Sequence, residues 1–386
     1  MNMRIPLKFV WHMFAYICFV AILCEYLIYY FVIFQCSWPV LDPLKEDSSV
    51  HIKTNSNEPV KAMFLADTHL LGSRNGHWFD KLRREWQMYR AFKTAVSLHK
   101  PEVVFFLGDV FDEGLWCGKD EFEYYVAHFN NLFKVPDGTK VYVVVGNHDI
   151  GFHYSISPYL HERFMNAFNA PPIKMVSIRG NHFVLLNSMA MEGDGCFLCR
   201  QAEIKLMGIA DKLRCIQGVG KSCDSSLLRK QFSRPIILQH FPMFRDSDRN
   251  CDEPDEAPED LKKMKFRERW ECLSQEATDM LFYQLNPRAV FTGHTHHGCH
   301  TTHKVPAEIH EYTLPSFSWR NKNNPSFMLA MISPNNYAVS KCYMPQESTV
   351  IFLYSISLSF FVFWVARSVY LFSSKRHNSI RLFKSC

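Results

Sequence analysis

The sequence predicts an α/β sandwich with an apolar helix at each end. Three observations lead there. Short apolar runs alternate with helical patterns through the middle of the chain, a polar residue with ligand chemistry follows several of those runs, and two long apolar segments flank the whole. Strands alternating with helices argue for a layered α/β architecture. Open α/β sheets place their sites at the carboxyl ends of strands, so those polar residues are candidates to share one cleft.

Residues 10–34, VWHMFAYICFVAILCEYLIYYFVIF, are apolar except for Glu25. About 20 helical residues cross a bilayer core of about 30 Å. A cleaved signal peptide would carry a shorter apolar core of about 7–15 residues before a small-residue cleavage site. This segment runs on into Phe34, Gln35, Cys36, Ser37 and Trp38, so a retained transmembrane helix is expected. Glu25 is either a tolerated, shallow charge or the partner of another helix. Residues 350–372, VIFLYSISLSFFVFWVARSVYLF, form a second span, with Arg367 near its end and able to snorkel. Arg4 and Lys8 precede the first span, and Lys375, Arg376, Arg381 and Lys384 follow the second. The positive-inside rule then places tails 1–9 and 373–386 in the cytosol and the chain between the spans in a lumen or outside the cell.

The chain of 386 residues has room for one large domain or two ordinary ones. Its net charge of +5 comes with no long lysine-arginine run in the middle, so no nucleic-acid partner is expected. Of 13 cysteines, Cys18, Cys24 and Cys386 lie in a span or a tail, and the other ten would meet an oxidising compartment. Cys196, Cys199, Cys215 and Cys223 read as disulfides stapling an insertion, with a zinc knuckle as the other reading of the C-x-x-C spacing.

Residues 35–59 are polar, contain Pro39, Pro43 and Pro59, and read as a linker to a domain over 60–340. In that domain Ala62–Ala66 is a strand ending at Asp67, and residues 80–99 have helical spacing. Val103–Leu107 is a strand ending at Gly108-Asp109, and residues 119–133 look helical. Val141–Val145 ends at Gly146-Asn147-His148-Asp149. Phe183–Leu186 is a strand, Pro235–Leu238 leads to His240, residues 274–285 look helical, and Ala289–Phe291 runs into Gly293-His294-Thr295-His296. Residues 191–233 and 245–272 read as insertions over the cleft, where specificity would reside. The acidic stretch Asp252 to Asp260 reads as a solvated loop.

Taken singly, each polar motif is weak, because a lone D-x-H after a strand is usually a turn or a cap. The ordered set Asp67-Thr68-His69, Gly108-Asp109, Gly146-Asn147-His148-Asp149, His240 and Gly293-His294-Thr295-His296 resembles the calcineurin-like metallophosphoesterase superfamily over roughly residues 60–330. The resemblance implies a metallophosphoesterase-type sandwich of two mixed β-sheets flanked by helices. It also implies two divalent metal ions, Mn²⁺ favoured. Carried over residue by residue, Asp67, His69, Asp109 and His296 would hold one ion and Asp109, Asn147, His240 and His294 the other, with Asp109 shared. The resemblance casts His148 as the group that protonates the leaving alkoxide and Asp112 as the carboxylate that orients it.

Other residues are read against this pattern. Glu113 stands where protein phosphatases of the superfamily carry Arg; there it would repel a phosphate dianion and favour a phosphodiester. Arg245 is a candidate phosphate contact. Gly180-Asn181-His182 reads as a turn, and His297, His300 and His303 as loop or surface histidines rather than a third metal site.

The motif wording and the two spans together resemble the branch of the superfamily that acts on glycosylphosphatidylinositol (GPI) anchors. That resemblance implies removal of ethanolamine phosphate from the second mannose of the anchor on GPI-anchored proteins, in support of their transport from endoplasmic reticulum to Golgi. It further implies a place in the early secretory pathway beside cargo-sorting or coat machinery. A luminal enzyme acting on another phosphodiester, a nucleotide or a phospholipid headgroup, and a non-catalytic cargo-binding membrane protein are the alternatives.

Overall fold

The computed structural model describes residues 7–47, 50, 58–304 and 307–384. Arg4, Cys386 and most of the central part of the linker lie outside the described residues. The chain divides into two units, one of residues 1–31 and 345–386, the other of residues 32–344.

The first unit is a pair of helices, each long and apolar enough to cross a membrane: Leu7–Ile33 and Glu347–Phe372. They meet through aromatic rings, with Tyr16 stacked on Phe361 and Phe9 against Trp364 at 5.3 Å. Glu25 sits in a π-helical stretch, Leu23–Leu27, and accepts a hydrogen bond from the Tyr354 hydroxyl of the other helix at 2.5 Å. Of its two readings, the partnered one therefore holds, and a π-helical register is a common way to re-aim one side chain within a helix. The second helix continues past the expected span as far as Lys384.

Among its described residues the larger unit contains eleven strands: β1 Val60–Leu65, β2 Val103–Leu107, β3 Lys140–Val144, β4 Ile173–Ile178, β5 Asn181–Leu186, β6 Ile236–Leu238, β7 Ala289–Thr292, β8 Cys299–His303, β9 Ile309–Thr313, β10 Ser326–Ser333 and β11 Asn336–Tyr343. One sheet has the order β11-β10-β1-β2-β3 and the other β4-β5-β6-β7-β9-β8. β1, β2 and β3 run parallel, as do β5, β6, β7 and β9, while β4, β8, β10 and β11 add antiparallel edges. Both sheets are mixed, as expected.

Alternation along each strand explains the layering, because successive side chains point to opposite faces. Val60, Ala62 and Phe64 of β1 and Val103, Phe105 and Leu107 of β2 face the second sheet and meet Phe183, Leu185, Leu238 and Phe291 in one buried cluster. Phe64 stacks on Phe291 at 4.1 Å and on Phe105 at 5.2 Å. The opposite face of β2 packs on helices, Phe106 meeting Phe92 of helix Trp78–His99 and both Phe129 and Phe133 of helix Lys119–Leu132 and its C-terminal end. Strands buried on both faces carry continuous apolar runs rather than an alternating pattern.

Three disulfides tie this unit together: Cys36–Cys342, Cys215–Cys223 within the first insertion, and Cys251–Cys299 from the second insertion to β8. Cys196 and Cys199 are free thiols. The expectation of a purely solvated acidic loop at 252–260 needs correcting. Asp255 is buried, accepts from the Ser326 hydroxyl and pairs with the Lys341 ammonium at 2.8 Å. It anchors the second insertion to β10 and β11. The expected turn at Gly180-Asn181-His182 is corrected in extent: Gly180 closes the β4–β5 hairpin with Arg179, both at positive φ, but Asn181 and His182 are paired and buried at the start of β5.

Candidate metal centre

The strand ends that carry ligand-type residues come together. β1 delivers Asp67 and His69, β2 Asp109, β3 Asn147 and His148, β6 His240, and β7 His294 and His296. β1, β2 and β3 run parallel in one sheet, as do β6 and β7 in the other, so the carboxyl ends of these strands share one edge of the sandwich. Short backbone links fix the loops there. Asp67 N–H donates to Gly108 O at 3.2 Å, His69 N–H to Asp109 O at 3.0 Å, and Gly293 N–H to His240 O at 2.9 Å.

The backbone at these positions is strained. Asp67, His69, Asp109, His294 and His296 all have positive φ, between 43° and 76°. Non-glycine residues held this way cost on the order of 1–3 kcal/mol each and cluster where function over-determines them. Gly146 explains its own motif: a Cβ there would lie 2.2 Å from Asp109 Oδ1 and 2.3 Å from Asp109 N. Only glycine lets the third loop approach the shared carboxylate so closely.

Side-chain orientation follows from hydrogen bonds on the far side of each ring. His240 Nδ1 donates to Leu107 O at 2.8 Å, which turns Nε2 toward Asp109 Oδ2 at 3.2 Å and Asn147 Oδ1 at 3.1 Å. His69 Nδ1 donates to Asp112 Oδ1 at 3.2 Å, and its Nε2 lies 3.6 Å from Asp109 Oδ2 and 3.0 Å from His296 Nε2. His294 Nε2 donates to Trp270 O at 2.6 Å, and its Nδ1 faces His240 Nε2 at 3.2 Å. Asp109 Oδ2 thus lies between two imidazole groups. One group brings Asp67, His69 and His296 within 4.8 Å of one another, and a second does so for Asp109, His240 and His294.

These residues fit divalent cations. Asp67 Oδ1 is buried and has no hydrogen-bond partner among the described residues. Nitrogen lone pairs and carboxylate oxygens converge without enough hydrogens to separate them, which is the donor set of two adjacent cation sites sharing Asp109. The charge balance says the same. Burial opposes charging His69, yet its bond to Asp112 and the nearby carboxylates of Asp67 and Asp109 raise it to about 10. Burial likewise opposes charging His240, and Asp109 pulls it up to about 9. Burial, helped by the His240 charge, pushes His294 down to about 3. The carboxylates thus demand positive charge at this point, which bound cations would supply in place of protons.

Of the other expected residues, His148 and Asp112 lie at the rim. His148 N–H donates to Asp109 Oδ1 at 2.8 Å, and its Nδ1 donates to the Asp112 backbone carbonyl at 3.1 Å. That leaves Nε2 for proton exchange, on a ring about one-third exposed. The Asp112 carboxylate lies 3.7 Å from His148 Nδ1 but is bonded more closely to His69, to Asn75 Nδ2 at 3.1 Å and to Arg320 Nη2 at 2.8 Å.

Two expectations about nearby charge need correcting. Glu113 is fully buried and turned away from the ligands; its carboxylate accepts the backbone N–H groups of Arg74 and Asn75 and so repels nothing in the cleft. Arg245 is not a phosphate contact: its guanidinium is buried against Asp248 at 2.8 Å, Glu311 at 3.5 Å and Thr313. The arginine beside the cleft is Arg320, about one-quarter exposed, on the loop before β10. Nothing in its local sequence marks it. His297 bonds Lys322, His303 bonds Glu311 and His300 stacks on Tyr312, so these three hold structure and form no metal group among the described residues.

A family model described as calcineurin-like phosphoesterase matches residues 60–298. Metallophosphoesterase 1 of Gallus gallus is 47% identical over 345 residues, covering 88% of this chain and 85% of its own length. Its Mus musculus counterpart is 46% identical over 345 residues, covering 88% and 84%. That of Xenopus laevis is 43% identical over 391 residues, covering 98% and 94%.

Proposed function

The chain belongs to the calcineurin-like phosphoesterases and is a metal-dependent phosphoesterase, and from that premise we propose that it is a luminal phosphodiesterase removing ethanolamine phosphate from the second mannose of GPI anchors. The observation that carries a hydrolytic reading is the convergence of Asp67, His69, Asp109, Asn147, His240, His294 and His296 at one edge of the sandwich. In this proposal Asp67, His69, Asp109 and His296 hold one ion and Asp109, Asn147, His240 and His294 the other. Oxygen and imidazole donors without thiolate suit Mn²⁺ among the borderline metals. Such ions, when bound, supply Lewis-acid polarisation of the phosphoryl oxygens and activation of water.

The chain's own groups do the rest. His148, pinned through Nδ1 to the Asp112 carbonyl, presents Nε2 to give a proton to the departing mannose oxygen. Asp112 sets the tautomer and direction of His69 and, through its carbonyl, of His148. Arg320 is a single cation at the rim, a better match for a singly charged diester than for a phosphate dianion.

The topology supports a luminal site. GPI glycans face the lumen, the larger unit holds three disulfides suited to an oxidising compartment, and Lys8 begins the first span on the side the positive-inside rule assigns to the cytosol. The proposed setting is the early secretory pathway, with GPI-anchored proteins as substrates and cargo-sorting or coat machinery as partners of the cytosolic tails.

The test is mass spectrometry of GPI glycans from cells lacking the enzyme and rescued with wild type or Asp109→Ala. Ethanolamine phosphate should persist on the second mannose with the variant and disappear with wild type. Identical glycans in both would sink the GPI assignment and leave the phosphoesterase.

A further inference from the structure

A second cluster of ligand-type side chains lies outside the strand-end centre. His153, Asp194, Cys196 and Cys199 each place one ligand atom within 4.8 Å of the others. His153 follows the short helix Asn147–Ile150, and the other three lie at the start of the first insertion. None of the four belongs to the centre described above.

We infer that His153, Asp194, Cys196 and Cys199 form a further metal site that takes a zinc ion. His153 Nδ1 donates to the Met189 carbonyl at 2.9 Å, so its Nε2 lone pair faces Asp194 Oδ2 at 2.8 Å. Two acceptors at that distance need a proton or a cation between them. Metal-binding histidines carry this second hydrogen bond to a carbonyl, which fixes tautomer and ring direction.

The thiols are placed to complete the set. Asp194 Oδ1 accepts from Cys196 N–H at 3.0 Å, Cys196 caps helix Phe197–Gln217 with its sulfur, and the Cys199 sulfur lies 4.0 Å from His153 Nδ1, on the same ring as the ligand nitrogen. Six other cysteines of this unit are paired in disulfides, while Cys196 and Cys199 remain thiols. Zn–N bonds of about 2.1 Å and Zn–S bonds of about 2.3 Å put ligand atoms roughly 3.3–3.8 Å apart, so closure needs a shift of about an ångström. Two thiolates, one imidazole and one carboxylate make a tetrahedral, borderline-soft site, which selects zinc over the hard cations.

With four protein ligands the site is structural. Zinc there ties the Phe152–Tyr154 segment to the insertion helix. Phe152 and Tyr154 pack on Trp270 at 4.9 and 5.6 Å, and the Trp270 carbonyl holds His294. The ion therefore sets the aromatic wall beside the strand-end centre.

The test uses full-length protein purified in detergent without chelator or reductant. Elemental analysis should find one zinc per chain more in wild type than in Cys196→Ser/Cys199→Ser. A second readout on wild type guards against a variant that fails to fold. Cys196, the more exposed of the pair, should resist alkylation until chelator is added and then react, while the buried thiols Cys117 and Cys272 stay slow. Three results would overturn the inference: equal zinc in both proteins, alkylation of Cys196 that is indifferent to chelator, or an unreduced peptide mass showing a Cys196–Cys199 disulfide.

Discussion

Asp112→Ala separates two ways a carboxylate beside the centre can act. The side chain is buried, and its oxygens accept from His69 Nδ1 at 3.2 Å, Asn75 Nδ2 at 3.1 Å and Arg320 Nη2 at 2.8 Å. Removing it leaves the His69 N–H buried without an acceptor and frees the ring to rotate off the Asp67–Asp109 side. Loss of a carboxylate behind a ligating histidine lowers metal affinity about 10–100-fold, roughly 1.4–2.7 kcal/mol. The assay is hydrolysis of an aryl phosphodiester by chelated full-length protein titrated with Mn²⁺. The half-saturating Mn²⁺ concentration should rise about 10–100-fold, with the saturated rate within a few-fold of wild type. Unchanged half-saturation with a collapsed saturated rate would refute this, and would place the carboxylate's action on His148, 3.7 Å away.

Further predictions concern other parts of the molecule. His148→Ala should lower the saturated rate about 10²–10⁴-fold with metal content unchanged, read by activity and elemental analysis together; a rate near wild type would remove its role as proton donor. Gly146→Ala drives a methyl into Asp109, 2.2 Å from Oδ1, and should cut activity at least about 100-fold while the far-ultraviolet spectrum stays native. Near-normal activity would mean that the loop relaxes without moving the carboxylate. His182, bonded to Ser177 Oγ and Gln231 O, is pushed by burial down to about 4 from its ordinary 6.5. The unfolded chain then binds a proton between pH 6.5 and 4 that the folded chain refuses, so stability falls as pH drops through that window. The loss is on the order of 3 kcal/mol. Thermal unfolding of His182→Gln in detergent should lose less stability than wild type over that range; parallel curves would assign the acid sensitivity elsewhere.

Much of the sandwich was legible because β1, β2, β6 and β7 are largely buried on both faces and, like the half-exposed β3, read as apolar runs broken by a ligand-type residue. β8 and β9, CHTTH and IHEYT, were not legible. They are polar strands whose burial comes from contacts such as His303 with Glu311. β10 and β11 escaped as well, although β10 pairs along β1 from Val60↔Ile332 to Phe64↔Met328, because no ligand marks their ends. The ligand set was legible through local motifs. Its support was not: Arg320 reaches Asp112 and the Trp270 carbonyl reaches His294 from segments far along the chain. Charge meaning was the least legible. Glu113 and Arg245 carry the charges that suggested roles in the cleft, but the fold points both into hydrogen bonds elsewhere.

The most direct test of the centre compares chelated full-length wild type and Asp109→Ala after reloading with Mn²⁺. Bound Mn²⁺ and diester hydrolysis are measured on the same samples. Asp109 lies between His69 and His240 at 3.6 and 3.2 Å, so both proposed ion sites would depend on it. The account predicts that wild type retains about two ions per chain and turns over, while the variant loses Mn²⁺ and activity together. A variant that keeps both its ions and its rate would contradict it.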